Sequence, residues 1–304
     1  MICILSGGTG TPKLLGGFDP SDICVIVNTA EDVSVSGIYV SPDLDTVVYT
    51  LAGLIDDTKW YGQKNDTYHC YDMMCRLGHT EVLRIGDRDR GLKLFRTVCM
   101  SKGIPLSVIT KTILERLSIE TPVFPMSDHR VTTRISTEDG DLFFHEFWVV
   151  KRAAVTVTDV VYLGIEQAHP VKEALEHMKN SDFVLIGPSN PITSIGPIIA
   201  MEEYREVLRE KLVVGISPMI GKAPVSGPTG VLMKGLGYRT DCVGVASLYK
   251  DFLDAFIIHP TDITYREEIE AMGITVHTGD ILLDSPEKKT RLVEYIRKVV
   301  AYSR

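Results

Sequence analysis

Four groups of residues have types and spacing that suit chemistry on a phosphorylated ligand. The first is Ser6-Gly7-Gly8-Thr9-Gly10-Thr11-Pro12-Lys13, placed directly after the apolar run "ICIL". Glycines there let the backbone turn sharply and bring its N–H groups close to an anion. Thr11 is expected to cap a helix whose first residue is Pro12. The segment is thus expected to cradle phosphate through Gly7, Gly8, Thr9, Gly10, Thr11 and Lys13. It is not a dinucleotide fingerprint, because the position three after Gly10 is Lys13, and it lacks the Gly-Lys-Ser/Thr of a P-loop. Asn28 also stands where a nicotinamide fold favours an acid for the ribose hydroxyls.

The second group, "NTAEDVSVSGIYVSPDLDT" from Asn28 to Thr46, carries Glu31, Asp32, Asp43 and Asp45. Carboxylates beside phosphate need a cation between them, and Mg²⁺ takes one or two carboxylates together with phosphate oxygens. Asp43 is expected to cap a helix. Asp45 is expected to act in the site, with Asp32 as a second metal ligand. The third group, "RIGDRDRG", holds Arg84 and Arg88, and the arginine fork suits phosphate; its alternating charge would equally suit a solvated ion-pair surface. The fourth comprises the loops "GPSNPITSIGPI" and "SPMIGKAPVSGPTG", each after an apolar run, which offer Ser189, Asn190 and Lys222. The eight histidines form no metal-binding pair on a helix face, and no G-x-S-x-G nucleophile elbow is present.

These groups need a scaffold, and the rhythm of the chain supplies one. "ICIL", "ICVIV", "FVLIG", "LVVGI" and "AFIIH" read as buried strands alternating with helical segments. The expected fold is α/β and Rossmann-like: a mostly parallel sheet with helices on both faces, a helical insertion around 44–120 and an antiparallel hairpin. The whole chain, 1–304, is read as a single domain. In the insertion, helices are expected over "DLDTVVYTLAGL", over "DTYHCYDMMCRLG" with Asp66 near its start, and over two segments between Asp87 and Ile119. "RVTTRISTEDGDLFFHEFWVV" reads as a hairpin turning at Asp139-Gly140, suited to an antiparallel edge. Further helices are expected over "VKEALEHMKN", from about Ser247, over "YREEIEAMG" and over "KKTRLVEYIRKVV".

Composition narrows the function. The 304 residues are 44% hydrophobic and 24% charged, ordinary globular usage. A formal charge of −8 argues against a general nucleic-acid binder, which needs a broad basic face. Any phosphate must then be met by a few local cations. The apolar runs are too short to span a bilayer and the start of the chain lacks a secretory pattern, so a cytoplasmic protein without membrane partners is expected. The six cysteines contain no CxxC pair and read as small buried hydrophobes.

Taken together, "SGGTGTPKLL", "NTAEDVSVSG", "SPDLDT", "GDRD", "PMSD", "GPSNPITSIGPI" and "SPMIGKAPVSGP", in this order from Ser6 to Pro228, resemble the 2-phospho-L-lactate transferase family of coenzyme F420 biosynthesis. The resemblance implies a Mg²⁺-dependent transfer. A 2-phospholactyl group would pass from lactyl-2-diphospho-5′-guanosine to the ribityl hydroxyl of the deazaflavin Fo, releasing GMP. It implies contacts with Fo at Asp45 and Arg84, and a catalytic or metal-binding Asp45, with Arg88 and Lys13 neutralising the diphosphate. The sequence leaves open which small acid the donor carries, and whether a homodimer forms. A second reading is a non-catalytic, nucleotide-sugar-binding regulator from a related family sharing the glycine loop. The region from "SPDLDT" to "GDRD" separates the two, because only the enzyme needs an aromatic-accepting deazaflavin pocket there.

Overall fold

Short runs of Ile, Val, Leu and Cys set the centre of the molecule, because a strand covered by helices on both faces must be apolar at every position. The computed structural model, which describes residues 1–303, forms a seven-stranded sheet from such runs: β1 Ile2–Ser6, β2 Ile23–Val27, β3 Val123–Pro125, β4 Phe183–Ile186, β5 Val213–Ile216, β6 Ala255–Ile258 and β7 Thr275–Thr278. All neighbours pair parallel, in the order β7-β6-β5-β4-β1-β2-β3. Every residue of β1, β2, β4, β5 and β6 is buried.

Among the described residues the α-helices are α1 Gly10–Leu15, α2 Pro42–Leu51, α3 His69–Arg76, α4 Asp87–Ser101, α5 Leu106–Arg116, α6 Lys172–Asn180, α7 Ile195–Ile199, α8 Glu202–Glu210, α9 Thr229–Gly235, α10 Cys242–Tyr249, α11 Arg266–Glu270 and α12 Pro286–Ser303. Alternate residues of each strand serve opposite faces. Ile2 and Ile4 of β1 meet Leu14, Leu44, Val47, Ile109 and Leu292 of α1, α2, α5 and α12, whereas Cys3 and Leu5 join the cluster built by Ala174, Ile198, Tyr204 and Val245 of α6, α7, α8 and α10.

The order matters for function. From β1 the chain builds outward through β2 to β3, then returns to lay β4 on the other side of β1. The loops after β1 and β4 therefore diverge from adjacent strands at the point where an open α/β sheet opens a ligand crevice. Those are the glycine loop and "GPSNPITSIGPI".

Several local expectations change. Helix α1 begins at Gly10 rather than Pro12, and Thr11 gives no cap but binds a neighbouring loop. The hairpin pairs Thr132–Thr137 with Gly140–Phe143, and because Thr137 faces Gly140 the loop residues are Glu138 and Asp139. It does not edge the main sheet; Val157–Leu163 pairs with it to make a separate three-stranded antiparallel sheet. "EFWVV", Glu146–Val150, is a turn of π-helix instead of strand. Helix α10 starts at Cys242, because Asp241 caps it by accepting from the Gly244 N–H at 3.1 Å. Cys3, Cys24 and Cys242 are buried as expected, but Cys70 is exposed and Cys75 and Cys99 are half-buried.

Helix α3 buries no residue, so packing alone does not hold it. It is secured by an exchange of caps with α4. The Asp66 carboxylate accepts from the Arg88 and Asp89 N–H groups at 2.8 and 3.0 Å, while Asp87 accepts from those of His69 and Cys70 at 3.0 Å each. No helix among the described residues is long and apolar enough to cross a membrane.

Candidate active site

The loops after β1 and β4 are stitched together before any ligand arrives. The Ser189 hydroxyl oxygen accepts from the Gly7 and Thr11 N–H groups at 3.1 and 3.3 Å and lies 2.7 Å from the Thr11 hydroxyl. A Cβ on Gly10 would overlap the Pro188 carbonyl, and one on Gly8 would overlap the Asp43 carboxylate. These glycines are thus required by the protein's own close contacts as well as by any phosphate. Gly8, Thr9 and Gly10, with Ser189 and Asn190, line a cavity of about 580 Å³. Gly7 and Thr11 support that wall from behind.

Glu31 and Asp43 also line the cavity, and Asp43 lies against Gly8. Asp43 does not cap α2; Ser41 holds the cap position, Pro42 opens the helix, and Asp43 lies in its first turn. Its carboxylate accepts from the Asn28 amide at 2.9 Å, and the same amide donates to the Thr193 carbonyl at 3.1 Å. Asn28 is therefore a three-way tie between β2, α2 and the loop after β4, which accounts for an amide at this strand end. Burial, opposed by Asn28, pushes Asp43 up to about 7. Burial and then the neighbouring Asp43 charge push Glu31 well above the usual carboxylate range, and Glu31 Oε1 has no hydrogen-bond partner. His145, also in the cavity wall, donates from Nε2 to the Glu31 carbonyl at 2.8 Å; burial lowers its basicity and keeps the ring neutral.

Asp45, expected to act in the site, does not line the cavity. It is buried against α4, paired with the Arg96 guanidinium and with Lys93 Nζ at 3.0 Å. Burial alone would raise its carboxyl, but the two cations outweigh that and hold it below the ordinary range. Asp32 is likewise behind the wall, where it accepts from the Ser41 hydroxyl at 2.7 Å; burial raises it well above the usual value. The carboxylates that line the cavity are Asp43 and Glu31, with Glu81 paired to Arg90, while Asp45 and Asp32, the pair expected to hold metal, are not in its lining.

The lining is also aromatic and cationic, with Lys59, Trp60, Tyr61, Tyr71 and Arg84 from the insertion and Phe144, His145, Trp148 and Val149 from the segment after the hairpin. Arg84 lines the cavity, its guanidinium 4.1 Å from the centre of the Tyr68 ring and 5.6 Å from that of Tyr71. Ser226, Gly227 and Pro228 complete the lining.

Arg88, Lys13 and Lys222 are not in the lining. Arg88 is exposed at the start of α4, where the Asp66 cap fixes its backbone. Lys222 is exposed at the tip of the small hairpin Met219–Ile220/Ala223–Pro224, whose turn is tied by the Gly221 N–H to Asp262 at 2.9 Å. Lys13 lies over the Trp60 ring. The residues missed from sequence are Trp60, Tyr71, His145 and Trp148. Their signal was aromatic residues beside cations in "TKWYG" and the paired aromatics of "FFHEFW", the latter hidden by an apparent strand alternation.

Comparison with known proteins shows which family the chain belongs to. The model of the family described as 2-phospho-L-lactate transferase CofD matches residues 2–298. The chain belongs to that family. It is 44% identical over 313 residues to a 2-phospho-L-lactate transferase of Methanococcus vannielii, covering 99% of each chain. It is 45% identical to that of Methanopyrus kandleri, covering 98% of this chain and 97% of the relative, and 44% identical to that of Methanocaldococcus jannaschii, covering 97% of each. Two crystal structures of a UPF0052-family protein from Bacillus halodurans share the fold at 17% identity, with TM-scores of 0.65 and 0.66 over 97% of this chain. CofD membership agrees with the resemblance drawn from the motifs. At 17% identity the second likeness speaks for the fold alone.

Mg²⁺, the family's metal, suits the carboxylates that are present. Glu31 and Asp43 are a close, buried pair, one with an unpartnered oxygen, and both are costly to ionise without a cation. Among the described residues no cluster of three or more His, Cys, Asp or Glu side chains could hold a metal ion. A Mg²⁺ completed by substrate phosphate and water needs none.

Proposed function

We propose that the chain is a Mg²⁺-dependent 2-phospho-L-lactate transferase that moves a 2-phospholactyl group from lactyl-2-diphospho-5′-guanosine to the ribityl hydroxyl of Fo (7,8-didemethyl-8-hydroxy-5-deazariboflavin). The products are F420-0 and GMP. The observation that carries this reading is the mixed lining of one cavity: the glycine-loop backbone and the carboxylates Glu31 and Asp43 together with an aromatic wall that includes Arg84. A diphosphate and a planar tricyclic ring need those two environments side by side.

In the reaction the ribityl oxygen bonds to the phosphorus that carries the lactyl group, the bond from that phosphorus to the GMP phosphate breaks, and the hydroxyl proton is released. Phosphoryl transfer of this kind is served by positioning and charge neutralisation more than by covalent help from the protein. The amides of Gly8, Thr9 and Gly10 and the side chains of Ser189 and Asn190 receive the diphosphate. Asn190 is pre-set for this: its Oδ1 accepts from the Ile192 N–H at 2.9 Å, leaving its buried amide nitrogen without a protein partner. Glu31 and Asp43 would hold Mg²⁺, which supplies positive charge to the diphosphate when bound. His145 keeps the Glu31 backbone in place. Arg84 and the aromatic wall receive the deazaflavin. Asp45 serves by anchoring α2 to α4, so that Asp43 faces the donor.

The regulator reading is disfavoured by the formed aromatic pocket between "SPDLDT" and "GDRD". On the favoured reading the enzyme works in the cytoplasm, as one unit built on the parallel sheet. Incubation with Fo, lactyl-2-diphospho-5′-guanosine and Mg²⁺ should yield 2-phospholactyl-Fo and equimolar GMP by mass spectrometry. Tight uridine-diphosphate-sugar binding with no transfer would support the regulator instead.

A further inference from the structure

Lys13, from the glycine-loop helix, and Lys289, from α12, converge on one indole. Their ammonium groups lie 5.3 and 4.9 Å from the centre of the Trp60 ring. The turn after α1 is packed so closely on α12 that a Cβ on Gly17 would reach the Lys289 carbonyl at 2.8 Å. Among the described residues neither ammonium has a carboxylate within ion-pair distance. Two unneutralised cations drawn together repel, so the arrangement needs a compensating attraction, and the negative face of an indole provides one. Lys13 shows the cost: burial, followed by the charge of Lys289, lowers its affinity for a proton.

Trp60 has its own constraint. Its backbone is in the left-handed region at φ +59°, unusual for a bulky side chain and maintained only where surroundings over-determine it. It stands in an insertion segment that supplies Lys59, Trp60 and Tyr61 to the cavity wall. The body of the protein therefore grips the insertion at this ring.

We propose that Lys13 and Lys289 are positioning residues for the acceptor: they hold the Trp60 indole in the cavity wall that receives the planar deazaflavin, and Lys13 does not neutralise donor phosphate. The inference rests on the transferase reading above. It also sets acceptor specificity, because a wall held rigid accepts a flat ring and leaves less room for a bulkier one.

The test compares Lys13→Met, Lys289→Met, the double variant and Lys13→Arg in the full-length protein. Fo binding followed by its own fluorescence should weaken at least tenfold in the double variant. Affinity for GDP with Mg²⁺, by calorimetry, should stay within twofold, and Lys13→Arg should keep Fo affinity within threefold of the parent. In turnover the loss should fall on KM for Fo rather than on kcat. Trp60 and Trp148 are the two tryptophans of the chain, so a Trp148→Phe background isolates the Trp60 emission. Acrylamide quenching of that emission should rise when the lysines are replaced, whether or not Fo is added. A tenfold loss of GDP affinity in Lys13→Met with Fo affinity intact would overturn the proposal, as would unchanged quenching of Trp60 in the double variant. Absence of Fo binding by the parent protein, with quenching behaving as expected, would instead sink the transferase reading.

Discussion

Asp43 and Asp45 stand two residues apart in the first turn of α2 and end in opposite environments, since a helix advances roughly 200° over two residues. Asp43 turns toward Glu31 and the glycine loop; Asp45 turns toward Arg96 and Lys93. Their protonation should differ accordingly. The folded-state value of Asp43, about 7, lies above the ordinary 3.8, and Glu31 is raised as well. Between those values the folded protein binds protons that the unfolded chain has released, so these groups make the metal-free protein less stable as pH rises from about 4 to 7. Mg²⁺ binds the ionised pair and should offset this. Differential scanning calorimetry should show a larger Mg²⁺-induced rise in Tm at pH 8 than at pH 5, and the difference should vanish in Glu31→Gln/Asp43→Asn. Equal shifts at both pH values would reject this pair as the metal site. Sequence showed the acidic cluster and its need for a cation. It did not show which carboxylate faced the ligand, because a first-turn acid suits a helix start on any side, and only the packing of α4 reveals the side.

At the scale of elements, α2 and α5 of the insertion pack on the sheet through Leu44, Val47, Ile109 and Ile113, whereas α4 is tied to α2 by polar devices. Arg96 is fully buried on α4 and Lys93 nearly so; both reach Asp45 on α2, and Tyr49 of α2 donates to Asp89 of α4 at 2.6 Å. A buried ion pair is weak evidence of net stability, but removing one partner leaves a stranded charge and typically costs about 3–5 kcal/mol. Arg96→Met should therefore lower Tm clearly, and Asp45→Asn/Arg96→Met should recover part of the loss. Strict additivity of the two single changes would mean that the pair does not act as a clamp. Helices α2 to α5 were legible from their apolar periodicity. The exchange of caps by Asp66 and Asp87 was half legible: Asp66 was placed near the start of α3, yet it caps α4, a contact over 22 residues that no local spacing contains. The segment from Phe143 to Trp148 alternates like a strand, and tertiary packing of Phe147 into the core overrides that pattern.

Across the whole molecule, the α/β rhythm was readable because buried parallel strands are continuous apolar runs, and it placed the phosphate loops on one rim. The separate three-stranded sheet was not readable, since a hairpin signal says nothing about which distant strand will join it. Net charge bears on the same question: with −8 overall, the molecule offers no broad basic surface to a diphosphate. The donor must be met by backbone amides and by Mg²⁺ on the cavity carboxylates. The measurement that tests this most directly is steady-state transfer to Fo by Asp43→Asn, over a wide range of Mg²⁺, on protein whose melting is not lowered. The account predicts a fall in kcat of about 10²-fold or more, the scale seen when one charge-stabilising group is lost, with a raised Mg²⁺ requirement and GDP affinity much less affected. Full turnover by this variant at ordinary Mg²⁺ would contradict it.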